Sequence, residues 1–231
     1  MSVRSAEEFE AHLRSIGEKR YHHLHPFNER MHAGELSEAE FRGWVRNRFY
    51  YQMNLPKKDA FILTKLPGRD DRRRWITRIT DHDGRTGDEG GLEKWVRLGK
   101  AVGLSREELY DVDTVLPGVR FAVDAYVDFC RQKPWLEAVA SALTELFAPD
   151  LLSRRITDVR RHYPWIATEG LDYFRARLTQ QPKDIAHLLE LVVENAKTEQ
   201  QQEACGRALE FKCDVLWSLL DAVELAYRKS S

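Results

Sequence analysis

Helix-start signals recur along this chain, and no strand signals accompany them. Ser5, Ser37 and Ser105 are each followed three residues later by a glutamate, at Glu8, Glu40 and Glu108. At that spacing the hydroxyl accepts from the third helical N–H while the carboxylate reaches back to the serine N–H, so two orphan donors are satisfied at once. Pro26, Pro56, Pro117, Pro134, Pro149 and Pro182 all suit a first helical turn, where a missing N–H costs nothing. Gly34 and Gly103 are placed as helix stops. Between these signals the apolar period is helical: Phe41, Trp44, Val45 and Phe49 form one stripe, and Ala208, Phe211, Val215 and Leu219 another. No segment alternates with period two, and no Asn-Gly hairpin signal occurs. The pattern predicts an all-α chain of about seven or eight major helices. No repeat, low-complexity tract or long linker divides it, so residues 1–231 read as a single helical domain.

Charge excludes some functions. The 36 Lys and Arg nearly balance the 37 Asp and Glu, so no global field attracts nucleic acid or an anionic membrane, and neither is expected as a partner. Any positive charge that matters must be local. The three cysteines, Cys130, Cys205 and Cys213, are odd in number and form no CxxC pair, which points to a reducing compartment. Met1 to Ser5 lead into a helix start without an apolar signal, and no apolar run is long enough to span a bilayer. The expectation is a cytoplasmic protein. The polar stretch from Arg228 to Ser231 reads either as a loose chain end or as the start of a linker toward a carrier-domain partner.

Few segments carry chemistry-bearing residues. The glycine-rich run from Asp81 to Gly91 lacks the GxxxxGK[ST] pattern, follows no strand and holds acids that would repel phosphate. Within it, His82 lies between Asp81 and Asp83 at a helix end, where carboxylates and helix-end carbonyls both raise a histidine's pKa. It is either a surface-turn histidine or a base. Lys212 and Arg48 sit within apolar stripes, and Tyr173 and Arg177 share a helical face. Inward cations are costly unless paired or used. These side chains either snorkel to solvent or pair with acids such as Asp214 and Asp172, or they line a pocket for a multiply anionic ligand. Glu29 and His32 form one Glu-x-x-His unit of the kind found in di-iron bundles; Asp184 and His187 are the nearest second pair, and His22, His23 and His25 cluster at a helix break. Tyr50, Tyr51 and Tyr126 are core aromatics or platforms for a flat ring. No Gly-x-Ser-x-Gly elbow or paired cysteine offers a nucleophile.

Several motifs resemble one family when read in order: Asn47-Arg-Phe-Tyr-Tyr-Gln52, Asp81-His-Asp-Gly84, Leu116-Pro-Gly-Val-Arg-Phe-Ala-Val-Asp-Ala-Tyr126, Leu143-Thr-Glu-Leu-Phe-Ala-Pro149, His162-Tyr-Pro-Trp-Ile166 and Phe211-Lys-Cys-Asp-Val-Leu-Trp217. Together they are similar to the pyrroloquinoline-quinone synthases, from about Tyr21 to Tyr227. The resemblance implies a compact heme-oxygenase-like bundle of about seven helices, working as a homodimer. It implies an oxidoreductase that uses dioxygen as acceptor. The substrate would be the ring-open precursor, a dioxo-hexahydroquinoline dicarboxylate with an amino-carboxyethyl arm. Ring closure and multi-electron oxidation would give pyrroloquinoline quinone and release hydrogen peroxide, with no metal, heme or organic redox cofactor. The same resemblance assigns His82, Tyr173, Arg177 and Glu145 to catalysis, with His82 as general base. It assigns Tyr21, His22, Arg48, Tyr51, Gln52, Lys58, Arg78, Tyr126, Arg155 and Lys212 to substrate binding. The sequence departs from some relatives at Leu152, where a pocket histidine is replaced by a side chain that neither accepts nor donates a hydrogen bond. Two alternatives on the same scaffold remain: a di-iron oxidase using Glu29 and His32, and a non-catalytic binder of an anionic aromatic ligand.

Overall fold

A computed structural model describes residues 3–228, the Gln181 side chain excepted, so the polar tail beyond Arg228 lies outside the described residues. The first helix, α1 (Ala6–Arg20), is followed by a short 3-10 turn, then α2 (Pro26–Ala33) and the long α3 (Glu38–Lys65). Next come α4 (Arg69–Asp83), α5 (Gly90–Ala101), α6 (Arg106–Tyr110), α7 (Pro117–Gln132) and α8 (Trp135–Ala140). A 3-10 segment (Ser141–Phe147) leads into α9 (Ala148–His162), and α10 (Asp172–Asn195) and α11 (Glu199–Tyr227) complete the chain. Among the described residues there is no strand, only an isolated bridge between Arg85 and Asp88. No described helix is long and apolar enough to cross a membrane.

The expected helix number is corrected: the described residues form eleven α-helices rather than about seven or eight. Three of them, α2, α6 and α8, have only 8, 5 and 6 residues, so they carry end signals but are too short to display a hydrophobic period. All three serine capping boxes form, and a fourth, Thr198 with Gln201, opens α11. Gly34 and Gly103 take left-handed φ angles of 78° and 82° just after α2 and α5, where side chains are strained. Pro26 and Pro117 begin α2 and α7, Pro149 lies in the first turn of α9, and Pro134 precedes α8. Pro56 and Pro182 depart from expectation, because both lie inside long helices. An internal proline costs about 3 kcal/mol, which an apolar stripe buried along 28 or 24 residues can offset.

α3 is the central element, packing against α4, α7 and α11. Its predicted stripe, Phe41, Trp44, Val45 and Phe49, is fully buried. α1 packs on α11 through Phe9 and Leu13, and α9 bridges α2 and α10. The polar gap in this packing lies between α3, α4, α9 and α10.

Candidate active site

One face of α3 forms a wall of a cavity of about 100 Å³. Trp44, Arg48, Tyr51, Gln52, Leu55, Lys58 and Asp59 all face it, spaced as residues of one helical stripe. α4 contributes Arg78 and His82, one turn apart, and α5 contributes Trp95. Thr144 and Glu145 come from the 3-10 segment, and Ala148, Leu151, Leu152 and Arg155 from α9. Tyr173, Phe174, Arg177 and Asp184 descend α10, while Tyr21 and His22 enter from the break after α1. Trp44 and Trp95 pack with ring centroids 5.6 Å apart, and Tyr173 meets Trp95 edge-on at 4.9 Å. The Tyr173 hydroxyl donates to Gln52 Oε1 at 2.8 Å.

The glycine-rich segment has a packing role. A Cβ on Gly90 would come within 2.6 Å of the His82 carbonyl oxygen, and one on Gly91 within 3.0 Å of His82 Nδ1. The glycines let the start of α5 close against His82, which is buried and has no hydrogen-bond partner at Nδ1.

Charge divides the cavity into two halves. Around Glu145, acids and bases are interleaved. Arg78 Nη1 donates to Glu145 Oε1 at 2.8 Å, Lys58 pairs with Asp59 at 2.7 Å, and Arg177 Nη2 lies 4.0 Å from Glu145 and 3.8 Å from Asp184. Arg48 and Arg155 in the other half, and Lys212 behind it, have no carboxylate partner among the described residues. Arg155 donates to Asn28 Oδ1 at 2.8 Å and lies over Trp44, but its Nε is unsatisfied. Arg48 stacks over Tyr51 at 3.9 Å. Lys212 Nζ donates to the Tyr51 hydroxyl at 2.8 Å and lies 3.5 Å from the Tyr126 ring centre.

These surroundings shift the titrating groups. Burial, then Arg177 and Lys58, hold His82 well below the usual histidine value, against the pull of Glu145. Burial, then Arg48 and Arg155, do the same to His22. Burial, then Arg48 and Lys58, depress the Lys212 ammonium, and Arg155 is lowered to about 10 by burial and Arg48. Burial raises Glu145, but Arg78, Arg177 and Lys58 outweigh it and hold the carboxyl low. Asp184 is raised by burial, which the attraction of Arg78 does not fully offset. The surroundings of Arg48, Arg155 and Lys212 disfavour further positive charge there and favour an anion.

The sequence pattern of the TENA/THI-4/PQQC family matches residues 10–222. The chain belongs to this family. Among its relatives, proteins named pyrroloquinoline-quinone synthase from Pseudomonas aeruginosa and Cronobacter sakazakii are each 52% identical over 221 residues, covering 95% and 96% of this chain and 88% of theirs. One of the same name from Pseudomonas putida is 49% identical over 223 residues, covering 96% of this chain and 88% of its own. The resemblance read from the motifs therefore extends over nearly the whole chain. A TenA homolog from Pseudomonas syringae pv. tomato superposes with a TM-score of 0.74 at 15% identity, covering 97% of this chain and 98% of that one. A domain with a heme-oxygenase-like fold from Shewanella denitrificans gives 0.74 at 14%, covering 96% and 91%. The all-α, heme-oxygenase-like fold is thereby established.

In this TENA/THI-4/PQQC chain, all the sequence-predicted site residues except Tyr126 and Lys212 line the one cavity. Those two stand behind Tyr51, Tyr126 stacked on it at 6.5 Å and Lys212 bonded to its hydroxyl. The pairing of Lys212 with Asp214, and of an inward cation with Asp172, is not formed: Asp214 binds Arg20 and Asp172 binds Arg175. The raised pKa anticipated for His82 is also corrected, because burial first, and then Arg177 from α10 and Lys58 from α3, lower it instead. The di-iron donors do not converge. Glu29 is exposed, His32 binds Asp158 at 2.8 Å, and His187 faces Asp71 at 3.4 Å. No described group of three His, Cys, Asp or Glu side chains has a metal-holding arrangement. Leu152 lies in the cavity wall and offers no polar atom. Asp184 was legible only as a metal-pair candidate. Reading Pro182 as a helix start hid its place on the same α10 stripe as Tyr173 and Arg177.

Proposed function

We propose that this chain catalyses the last step in the formation of pyrroloquinoline quinone, closing the ring of the anionic precursor and oxidising it with dioxygen, without a metal or organic cofactor. The observation that carries the reading is the trio Arg48, Arg155 and Lys212, buried or half-buried beside one cavity with no carboxylate to neutralise them. Carboxylates of the precursor would supply the missing charge. Tyr51, Trp44 and Trp95 supply aromatic surface to the cavity wall, suited to a substrate with fused rings.

Dioxygen is a triplet and reacts slowly with closed-shell molecules, so the substrate must become a strong donor by losing protons. His82 is neutral at rest and is able to accept one. Burial, Arg177 and Lys58 depress its basicity, and negative charge developing on the bound ring as it loses protons would offset the field of those two cations and make His82 a better base. Reduced oxygen species are anionic, and the Arg177 guanidinium is a donor near both His82 and Tyr173, whose hydroxyl would have to turn from Gln52 to add a second.

The test uses chelator-treated protein and the ring-open precursor, following oxygen uptake, peroxide and quinone absorbance. Turnover without added metal is expected, and an obligatory requirement for iron would refute the cofactorless reading. His82→Asn should retain precursor binding while the single-turnover rate falls by about 100-fold or more. Parent rates at every pH would remove His82 from the mechanism, and binding without oxygen uptake in the parent protein would make it a ligand carrier.

A further inference from the structure

We propose that Glu145 and Asp184 form a subsite for the primary ammonium group of the precursor's amino-acid arm, and so decide which way the precursor lies in the cavity. The proposal rests on the functional reading above and adds a residue, Asp184, that the motif resemblance does not assign. Both carboxylates line the cavity, one from the 3-10 segment before α9 and one from α10. Glu145 uses Oε1 to accept from Arg78. Its other oxygen, Oε2, is buried with no hydrogen-bond partner, and so is Asp184 Oδ2. Arg177 Nη2 lies 4.0 Å from the first and 3.8 Å from the second, too far to donate to either. Two cavity-lining carboxylates thus each keep a buried oxygen with no hydrogen-bond donor among the described residues.

The chemistry of the missing group follows from that gap. A carboxylate or quinone oxygen brings no donor and is repelled by both acids. A primary ammonium carries three donors and no acceptor, and is compact enough to reach two carboxylates at once. The opposite half of the cavity, with Arg48 and Arg155 in its wall and Lys212 behind Tyr51, has the complementary need for carboxylates. The precursor bears its ring carboxylates at one end and, on the arm, an ammonium whose neighbouring carboxylate faces the Arg177 guanidinium beside the two acids, so it is bound in one orientation. That orientation brings the amine to the half that contains His82, whose surroundings include Glu145 and Arg177. Ring closure needs this nitrogen deprotonated and held near its target carbon, so the subsite positions the reacting group.

Pyrroloquinoline quinone provides the control, because ring closure has consumed the primary amine. Binding of precursor and of the quinone is measured by tryptophan fluorescence in the absence of oxygen, with full-length protein and with Asp184→Asn. The variant should bind precursor about tenfold more weakly, as for loss of a charge-assisted hydrogen bond. Its affinity for the quinone should remain within about twofold. Equal weakening of both ligands, or of neither, overturns the subsite. Quinone binding also shows that the variant is folded. Should it not fold, a desamino precursor tested on the parent protein replaces it: binding about tenfold weaker supports the subsite, and binding equal to that of the precursor overturns it. A parent protein that binds neither precursor nor quinone would instead refute the functional reading, and the subsite with it.

Discussion

Lys212 is the residue whose burial is hardest to explain by structure alone. It is 1% exposed, enclosed by Tyr51 and Tyr126, and bonded to one phenol rather than to an acid. A buried amine of this kind destabilises a fold, since its desolvation is repaid by one hydrogen bond and two ring contacts. Methionine has similar length, keeps the aromatic contacts and removes the amine. Lys212→Met should therefore leave stability unchanged or raise it by about 1–4 kcal/mol in urea unfolding. The same change should weaken precursor binding by about tenfold. Destabilisation instead, with affinity intact, would make Lys212 a structural residue.

At the scale of elements, the approach of α5 to the end of α4 gives a sharp test. Gly91→Ala would place a Cβ 3.0 Å from His82 Nδ1 and 3.4 Å from the Tyr173 ring. The His82 ring must give way by a few tenths of an ångström, while the Tyr173 contact is ordinary, and small displacements of reacting groups are expensive in rate. The expected outcome is a kcat about tenfold lower with KM nearly unchanged, measured by oxygen uptake. An unaltered kcat would mean that His82 tolerates displacement and is not closely positioned. The elements themselves were legible where their cause was local: Ser37 with Glu40, or the stripe from Phe41 to Phe49, can be read from spacing alone. Local chemistry misled where packing overrode it, as at Pro56 and Pro182. The site was legible as a set of residue types through its motifs, and its division into two charged halves was not. His82 shows why, because its flanking Asp81 and Asp83 are neighbours in sequence while Arg177 and Lys58 arrive from other helices.

For the whole molecule, three buried histidines share one electrostatic feature. His22, His32 and His82 are 5%, 4% and 5% exposed, and all three titrate below the usual value. Burial is the leading cause in each, and at His32 it prevails together with Arg155 over the opposing Asp158. An unfolded chain takes up a proton at His32 near pH 6.5, while the folded chain does so only near 4. Stability is therefore insensitive to these groups above neutrality, and falls as pH drops from about 6.5 toward 4. His32 alone accounts for at most about 3 kcal/mol across that window, and His22 and His82 act in the same direction. Below the usual Glu range the low-titrating Glu145 continues the trend, since its folded form resists protonation. Urea unfolding at pH 7.5, 6 and 5 should show a midpoint that falls progressively, and His32→Gln should flatten part of the slope. An anion filling the cavity would stabilise the protonated forms of His22 and His82, so bound pyrroloquinoline quinone should flatten it further. A midpoint constant from pH 7.5 to 4.5 would mean that these imidazoles are solvated or well paired, and the water-poor cavity on which the proposed chemistry depends would be lost with them.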